Sequence, residues 1–358
     1  MMNDKNLKQE GGEKSTNYQA NNLTINGISY SDAKEIFEDL FRSNFLQLKD
    51  EAAAIAQLRA KEITDQFLAN LIEKSPDSFN NLNQPAIQDV IFKMQKAYAI
   101  SGEKEIRNIL VELITHRIIL PFRSYHQILL EEAIDKVPKL SGEQMDVLTL
   151  VYLIKNTNFR EVKDHSDLLQ LIKEEVYPFI KNNNDFFVHY NHFKFLGCAN
   201  ATVRDGSFLE KLIRQYPGLF RKGMSVEDIT GNLGGTLDFV SDSNKNFDNW
   251  FTSCLNTSGF YQFKAISNLE FDKMLEDNDL NQTQRSTLLK FFNYDIMNLD
   301  EGRQMLLNRD SEFDKIILFD QKIKNPFILT HLGILLGNIN FNIKSGSSKE
   351  LPPEIINN

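Results

Sequence analysis

The chain has 358 residues, a formal net charge of −9 at pH 7, 41% hydrophobic residues and 25% charged residues. This composition is typical of a soluble globular protein rather than a disordered one, and the length suffices for two domains or one large domain with tails. The negative charge disfavours general nucleic-acid binding, because duplex binding depends on Lys and Arg neutralising phosphates. With two cysteines, Cys198 and Cys254, and no apolar secretory signal, a reducing cytoplasm is the expected compartment.

Residues 1–28 predict a flexible leader that contains a short strand-like segment. Tyr18, Leu23 and Ile25 alternate with amide side chains, and Asn26-Gly27 then suits a tight turn. A short polar strand of this kind can pair with copies of itself from other chains. An unstructured asparagine-rich leader is the alternative interpretation.

Residues 29–74 contain no proline or glycine and carry an apolar stripe at steps of three or four. Ser29 and Asp32 form an Asp variant of the capping box, which starts a helix here. A single helix over the whole segment would be roughly 65–70 Å long and would need another helix or another subunit to cover its stripe. The residues expected to mediate this packing or assembly are Phe37, Phe41, Phe45, Leu48, Ile63, Phe67 and Leu71.

The rest of the chain predicts a helical bundle followed by a smaller mixed domain. Five helical patterns occupy residues 84–196, with breaks at Pro85, Gly102, Pro121, Pro138 and Pro178. Residues 197–344 predict an α(+β) domain, with helices near 208–214, 225–233 and 283–292, short strands within 259–266 and 326–330, and a flexible tail at 345–358. The predicted fold class is therefore mainly α, with a long N-terminal helix, a multi-helix bundle and a mixed C-terminal domain.

The segment 325–343 is uncharged and long enough to span a bilayer, and it contains Gly333 and Gly337 in G-x-x-x-G spacing. Its polar members, including Asn338 and Asn340, are costly in lipid. A buried terminal helix, capped by Thr330 directly after a short strand, is the preferred interpretation. A latent membrane-acting helix is the alternative.

Few residue patterns indicate chemistry. His189 and His192 stand three residues apart, a spacing that suits two metal ligands on one helical face, but the flanking residues are aromatic and a third ligand is not evident. The loop that begins at Asp242 lacks the glycine and glutamate of a calcium loop. The segment at Gly231 lacks the Lys-Ser/Thr of a phosphate loop. We therefore predict no cofactor and no metal.

Two passages resemble an uncharacterised family of bacterial proteins. They are residues 17–20 (NYQA) with 27–34 (GISYSDAK), and residues 140–148 (LSGEQMDVL). This family has no established activity to carry over. Shorter passages, at 138–141 and 329–333, are similar to helical abortive-infection proteins of phage defence, and that resemblance implies a defence-related role.

These observations together predict a cytoplasmic, non-enzymatic interaction protein in bacterial phage defence. It would self-assemble into a homo-oligomer through its N-terminal region, and a protein partner is compatible with this hypothesis. Nucleic acid is not an expected partner, and a membrane is one only after activation. The alternatives are an enzyme with a site in region 186–263, which is rich in aromatic residues and glycine, and a membrane effector that uses 325–343.

Overall fold

The computed structural model describes residues 24–25, 28–44, 50–120, 124–180, 186–202, 206–234, 245–278, 280–322, 327–346 and 348–356. The chain folds into two compact units. Unit 1 comprises residues 1–142 and 350–358, and unit 2 comprises residues 143–349. This division falls at a different place from the predicted change of texture near Gly197.

The fold is mainly α, as predicted. The helices are α1 (Tyr30–Asn44), α2 (Asp50–Lys74), α3 (Pro85–Ser101), α4 (Lys104–Ile119), α5 (Tyr125–Lys136), α6 (Gly142–Lys155), α7 (His165–Glu175), α8 (Phe186–Leu196), α9 (Phe208–Gln215), α10 (Val226–Leu233), α11 (Lys245–Trp250), α12 (Asn268–Glu276), α13 (Gln282–Phe292), α14 (Leu299–Arg309), α15 (Phe313–Lys322), α16 (His331–Ser345) and α17 (Pro353–Ile356).

Short strands add antiparallel pairs to this helical framework. The strands are β1 (Thr24–Ile25), β2 (Ile28–Ser29), β3 (Ala199–Ala201), β4 (Phe251–Ser253), β5 (Tyr261–Phe263) and β6 (Phe327–Leu329). β1 pairs with β2 in unit 1, whereas β3 pairs with β6 and β4 pairs with β5 in unit 2. The strands predicted within 259–266 and 326–330 are confirmed as β5 and β6.

The prediction of one long helix over residues 29–74 is wrong. The segment contains α1 and α2, and these two helices pack against each other. The rings of Phe37 and Phe67 lie 6.5 Å apart, and Lys34 forms an ion pair with Asp65. A single straight helix would separate residues 37 and 67 by about 45 Å, because each residue adds about 1.5 Å. The stripe residues Phe37, Phe41, Ile63, Phe67 and Leu71 are therefore covered within unit 1.

α1 begins, and α3 begins and ends, at the residues whose capping and helix-breaking properties predicted these boundaries. Ser29 N donates to Asp32 Oδ2 at 3.2 Å and Asp32 N donates to Ser29 Oγ at 3.1 Å, which confirms the capping box. Pro85 is the first residue of α3, where its missing N–H costs nothing. Gly102 ends α3 with a φ of 66°, a left-handed conformation that glycine adopts without strain.

Unit 1 is completed by the last described helix of the chain. α17 packs against α5, and the Ile355 side chain is fully buried. Buried Gln95 of α3 adds a polar contact to this unit's core. Its Nε2 atom donates to Phe37 O at 3.1 Å and to Thr64 Oγ1 at 2.9 Å, and so ties α3 to both α1 and α2.

In unit 2, α16 forms a buried element beside α6. The predicted strand-to-helix step is confirmed, since β6 is followed by α16 and Thr330 Oγ1 accepts from Gly333 N at 3.3 Å. The buried asparagines of α16 are hydrogen-bonded. Asn338 Nδ2 donates to Tyr152 Oη at 2.8 Å, and Asn340 Nδ2 donates to Asp146 Oδ1 at 3.2 Å. Among the described helices, none has the length and apolar character needed to cross a membrane.

Gly337 allows α16 to approach α6 closely. A Cβ atom at this position would lie 2.7 Å from Tyr152 Cβ and 2.9 Å from Leu148 O. Gly337→Ala should therefore lower the free energy of unfolding by about 1–3 kcal/mol, as overpacking of a core does. Urea denaturation checks this value. Gly231→Ala in α10 is the matched control, because no atom lies within 4 Å of its added Cβ and alanine favours helix. Equal effects of the two changes would contradict the close contact.

Many of the aromatic residues that the structure describes after Gly197 form a core in unit 2. The ring of Phe263 lies 5.2 Å from that of Phe271 and 5.5 Å from that of Phe292, and Phe271 and Phe292 stack at 3.7 Å. Trp250 and Phe251 are buried in the same cluster. These aromatic side chains serve packing, and none of them lines the cleft described next.

Candidate functional site

Five of the ten residues predicted to mediate assembly lie in the core of unit 1. Phe37, Phe41, Ile63, Phe67 and Leu71 are all at most 2% exposed. These five side chains are therefore covered by residues of the same chain. Ile25 lies in β1, whereas Tyr18, Leu23, Phe45 and Leu48 lie outside the described residues.

His189 and His192 both lie on α8, as their spacing predicts. His192 Nδ1 is 2.8 Å from Gln144 Nε2, and the His192 ring stacks on Phe195 with centroids 6.5 Å apart. The His189 ring stacks on Phe193 in the same way, at 6.3 Å. Within the part of the chain that the structure describes, no group of three or more His, Cys, Asp or Glu residues is arranged to hold a metal ion.

A polar cavity of about 700 Å³ lies in unit 2, and we call it the basic cleft. This volume is within the range typical of small-molecule sites. The end of α6 with the loop that follows it, α9, and the beginning of α12 form its walls. The residues that give the cleft its character are Lys155, Asn156, Lys211, Arg214, Gln215 and Asn268.

Helix α9 presents the cleft with three of these side chains because of its amphipathic sequence. Phe208 and Leu212 are fully buried and fix the helix to the core. Lys211, Arg214 and Gln215 are related by steps of three and four, so they share another face of the helix. A capping box starts α9, in which Ser207 Oγ accepts from Glu210 N at 3.1 Å and Glu210 Oε2 accepts from Ser207 N at 2.9 Å.

The Lys211 side chain lies in the floor of the basic cleft, with 8% of its surface exposed. Its Nζ atom donates to Leu153 O at 2.7 Å and also to Thr157 O, near the C-terminus of α6. It lies 4.9 Å from the ring centroid of Phe159. An ammonium group has three N–H donors, so one donor remains after these two hydrogen bonds.

Cations dominate the electrostatics of the cleft. Burial, with the like charges of Lys349 and Arg214, lowers the pKa of Lys211 to about 7. Burial lowers the pKa of Lys155 to about 8, although the nearby carboxylate of Asp320 opposes this shift. Burial also raises the pKa of Asp320 to about 6. Binding of an anion would favour the charged form of both lysines.

Two of the three cations of the cleft, Lys211 and Arg214, form no ion pair with the described residues. Within the described ranges, neither Lys211 nor Arg214 has a carboxylate oxygen at ion-pair distance. The carboxylate that lines the cleft, that of Glu161, belongs to an exposed residue. The Asn156 Oδ1 atom is buried and has no hydrogen-bond donor. The cleft can therefore hold an anion and also accept a hydrogen bond from a hydroxyl or N–H group beside it.

This cleft was not predicted from the sequence. Lys155, Lys211 and Asn268 are separated by more than 50 residues each, and a single Lys or Arg on a helix is normally a solvated residue. The one available signal is local: Lys211 follows the buried positions of a short, strongly amphipathic helix, so part of its side chain lies close to the core.

The comparisons with known proteins identify a family and nothing more specific. No curated protein and no solved structure matches the chain. A model of an uncharacterised protein family matches residues 27–352, which is most of the chain. The resemblance to an uncharacterised family is thereby confirmed at that level, and the chain belongs to this family.

Proposed function

We propose that the protein is a non-enzymatic binding protein whose unit 2 takes up a small anion in the basic cleft. The observation that carries this proposal is the pair Lys211 and Arg214, which line one cavity without a carboxylate to neutralise them. Strong hydrogen bonds form when a cationic donor meets an anionic acceptor. An anion would also relieve the repulsion between Lys211 and its cationic neighbours.

The amide side chains of the cleft support binding as the function. Gln215 Nε2 donates to Phe159 O at 2.7 Å and to Tyr216 Oη at 3.0 Å, which fixes this part of the wall. Asn268 Nδ2 donates to Arg214 O at 2.9 Å and joins α12 to α9. A wall held in place by hydrogen bonds loses little conformational freedom when a ligand binds.

Sulfate binding to the full chain, measured by isothermal titration calorimetry, tests this proposal. We expect Arg214→Gln to weaken sulfate binding about tenfold, because it removes one charge-assisted interaction. Lys290→Gln, which removes one exposed cation on α13, is the charge-matched control and should leave the affinity unchanged. Equal weakening by both variants would indicate a general charge effect and would contradict a site in the cleft.

The pH dependence of the same titration gives an independent prediction. The pKa of Lys211 is about 7 and that of Lys155 about 8, so both side chains are protonated at pH 6 and mostly neutral at pH 9. Sulfate keeps its charge over this interval, so a change in affinity reports the protein. We expect affinity to fall at least about tenfold from pH 6 to pH 9. Affinity that is constant or rises with pH would contradict the role of the lysines.

Self-assembly and phage defence remain wider proposals. The resemblance of residues 138–141 and 329–333 to abortive-infection proteins is the support for a defence role, and anion binding would then be the sensing step. The test compares plaque formation on bacteria that express the wild-type protein or Arg214→Gln. We expect protection by the wild type and its loss in the variant, at equal protein levels. Light scattering of the purified full chain tests the homo-oligomer.

A further inference from the structure

A second cavity, of about 590 Å³, also borders α9, and we call it the apolar cavity. Aliphatic side chains make up much of its wall, namely those of Ile213, Ile296, Met297 and Leu299 together with Pro217. Leu299 is 43% exposed and contributes apolar surface to this wall.

The two cavities adjoin because one helix borders both. Residues 210, 213, 214 and 217 follow one face of α9 and its extension, and they line the apolar cavity. Residues 211, 214 and 215 line the basic cleft. Arg214 and Asn268 belong to both walls, and the hydrogen bond from Asn268 Nδ2 to Arg214 O marks the boundary between the cavities.

The charges of the two cavities have opposite signs. The basic cleft has Lys155, Lys211 and Arg214 against the single carboxylate of Glu161, whereas the apolar cavity has the carboxylates of Glu210 and Asp300 against Arg214, so the net charges of the described linings differ in sign. An anionic group is therefore favoured in the basic cleft and disfavoured in the apolar cavity. A ligand that reaches both would have to place its uncharged part in the apolar cavity.

We propose that the ligand is an anionic amphiphile, with its anionic group in the basic cleft and a single aliphatic chain across Arg214 in the apolar cavity. The inference that the ligand has an anionic end rests on the function proposed above, whereas the inference that it has an aliphatic chain rests on the apolar cavity alone. The walls favour an aliphatic chain over an aromatic ring, because no aromatic side chain lines the apolar cavity among the described residues.

Calorimetric titration of the full chain with four probes tests the inference. The probes are octyl phosphate, octanoate, inorganic phosphate and octanol. We expect octyl phosphate to bind at least about 30-fold more tightly than inorganic phosphate, because burial of several methylene groups adds to the interaction of the head. Octanol should bind far more weakly than octyl phosphate. The octanoate arm shows whether a carboxylate head is accepted in place of a phosphate.

Two variants test whether the octyl chain of the ligand binds in the apolar cavity. Leu299→Asp should remove most of the affinity that the octyl chain adds, whereas the affinity for inorganic phosphate should not change. The variant should still fold, because Leu299 is exposed at the first position of α14, where an acidic residue is favourable. Leu289→Asp, at a leucine of similar exposure on α13, is the control and should keep the gain.

The outcomes separate this inference from the function on which it rests. If inorganic phosphate binds and octyl phosphate binds no more tightly, the amphiphile is excluded and anion binding stands. If octanol binds as tightly as octyl phosphate, the anionic end is excluded. If no anion binds at all, the proposed function and the amphiphile both fail.

Discussion

Replacement of Asp295 by alanine is expected to lower the free energy of unfolding by about 3–5 kcal/mol, one of the largest effects that a single change should have in unit 2. Asp295 forms an ion pair with Arg221, whose side chain is fully buried. Removal of one partner of a buried pair leaves the other charge without compensation, and that penalty exceeds the loss of the contact itself.

The surroundings of Arg221 depend on this pair. Arg221 Nη2 donates to Phe292 O at 2.6 Å, and the guanidinium carbon lies 4.4 Å from the Phe292 ring centroid. Asp295 Oδ2 also accepts from Gly223 N at 3.1 Å. Burial lowers the pKa of Arg221 while Asp295 opposes the shift. Without Asp295, the guanidinium keeps its proton inside the aromatic core with no counter-charge.

A double variant and a surface variant complete this experiment. Arg221→Met with Asp295→Leu should lose much less stability than Asp295→Ala alone, because apolar residues can replace both members of a buried pair. Lys222→Met breaks the neighbouring exposed pair with Glu301, whose charged atoms are 2.8 Å apart, and should change stability by less than about 1 kcal/mol. Urea denaturation measures all three. A small effect of Asp295→Ala would show that the pair is not buried as described.

Replacement of Phe67 by alanine is expected to lower the free energy of unfolding by about 3–5 kcal/mol without a change in oligomeric state. Phe67 is fully buried and packs against Phe37 across the α1–α2 contact. The cost has two parts, the loss of apolar burial and the cavity that remains. Urea denaturation gives the stability, and light scattering on a sizing column gives the mass of the particle.

The matched control for this change lies on the same helix. Leu58 in α2 is 69% exposed, so Leu58→Ala should change stability by no more than about 0.5 kcal/mol. Normal stability together with a lower particle mass for Phe67→Ala would show that the stripe is an interface between chains. That result would contradict the placement of Phe67 in the core of unit 1.

Much of the fold follows from signals that lie close together in the sequence. Ser29 and Asp32 are three residues apart, and they form the predicted capping box. Gly102 and Thr330 likewise end and begin helices as predicted. Such signals work because the hydrogen bonds that start or end a helix are made by residues within one or two turns of each other.

The long helix shows where this kind of argument fails. The positions of Phe37 and Phe67 in an apolar stripe are equally compatible with one helix and with two helices that fold back on each other. The absence of proline and glycine permits a long helix but does not require one. The choice depends on which surfaces pack together, and the contact of Phe37 with Phe67 spans thirty residues of sequence.

The basic cleft was out of reach for a related reason. Its character depends on the distance between Lys155 and Lys211 and on the burial that lowers the pKa of both. None of these quantities is written in residue type or spacing. The composition of the chain even pointed away from an anion site, since its net charge is −9.

The position of α17 has a consequence for the order in which the protein is made. Ile355 packs into unit 1, yet the ribosome adds it only after the roughly 200 residues of unit 2. At a typical rate of about 5–20 residues per second, the surface of α5 that α17 covers stays open for roughly 10–40 s of synthesis. Synthesis of unit 1 therefore begins before that of unit 2 and ends after it, and unit 2 can complete its fold in the interval between.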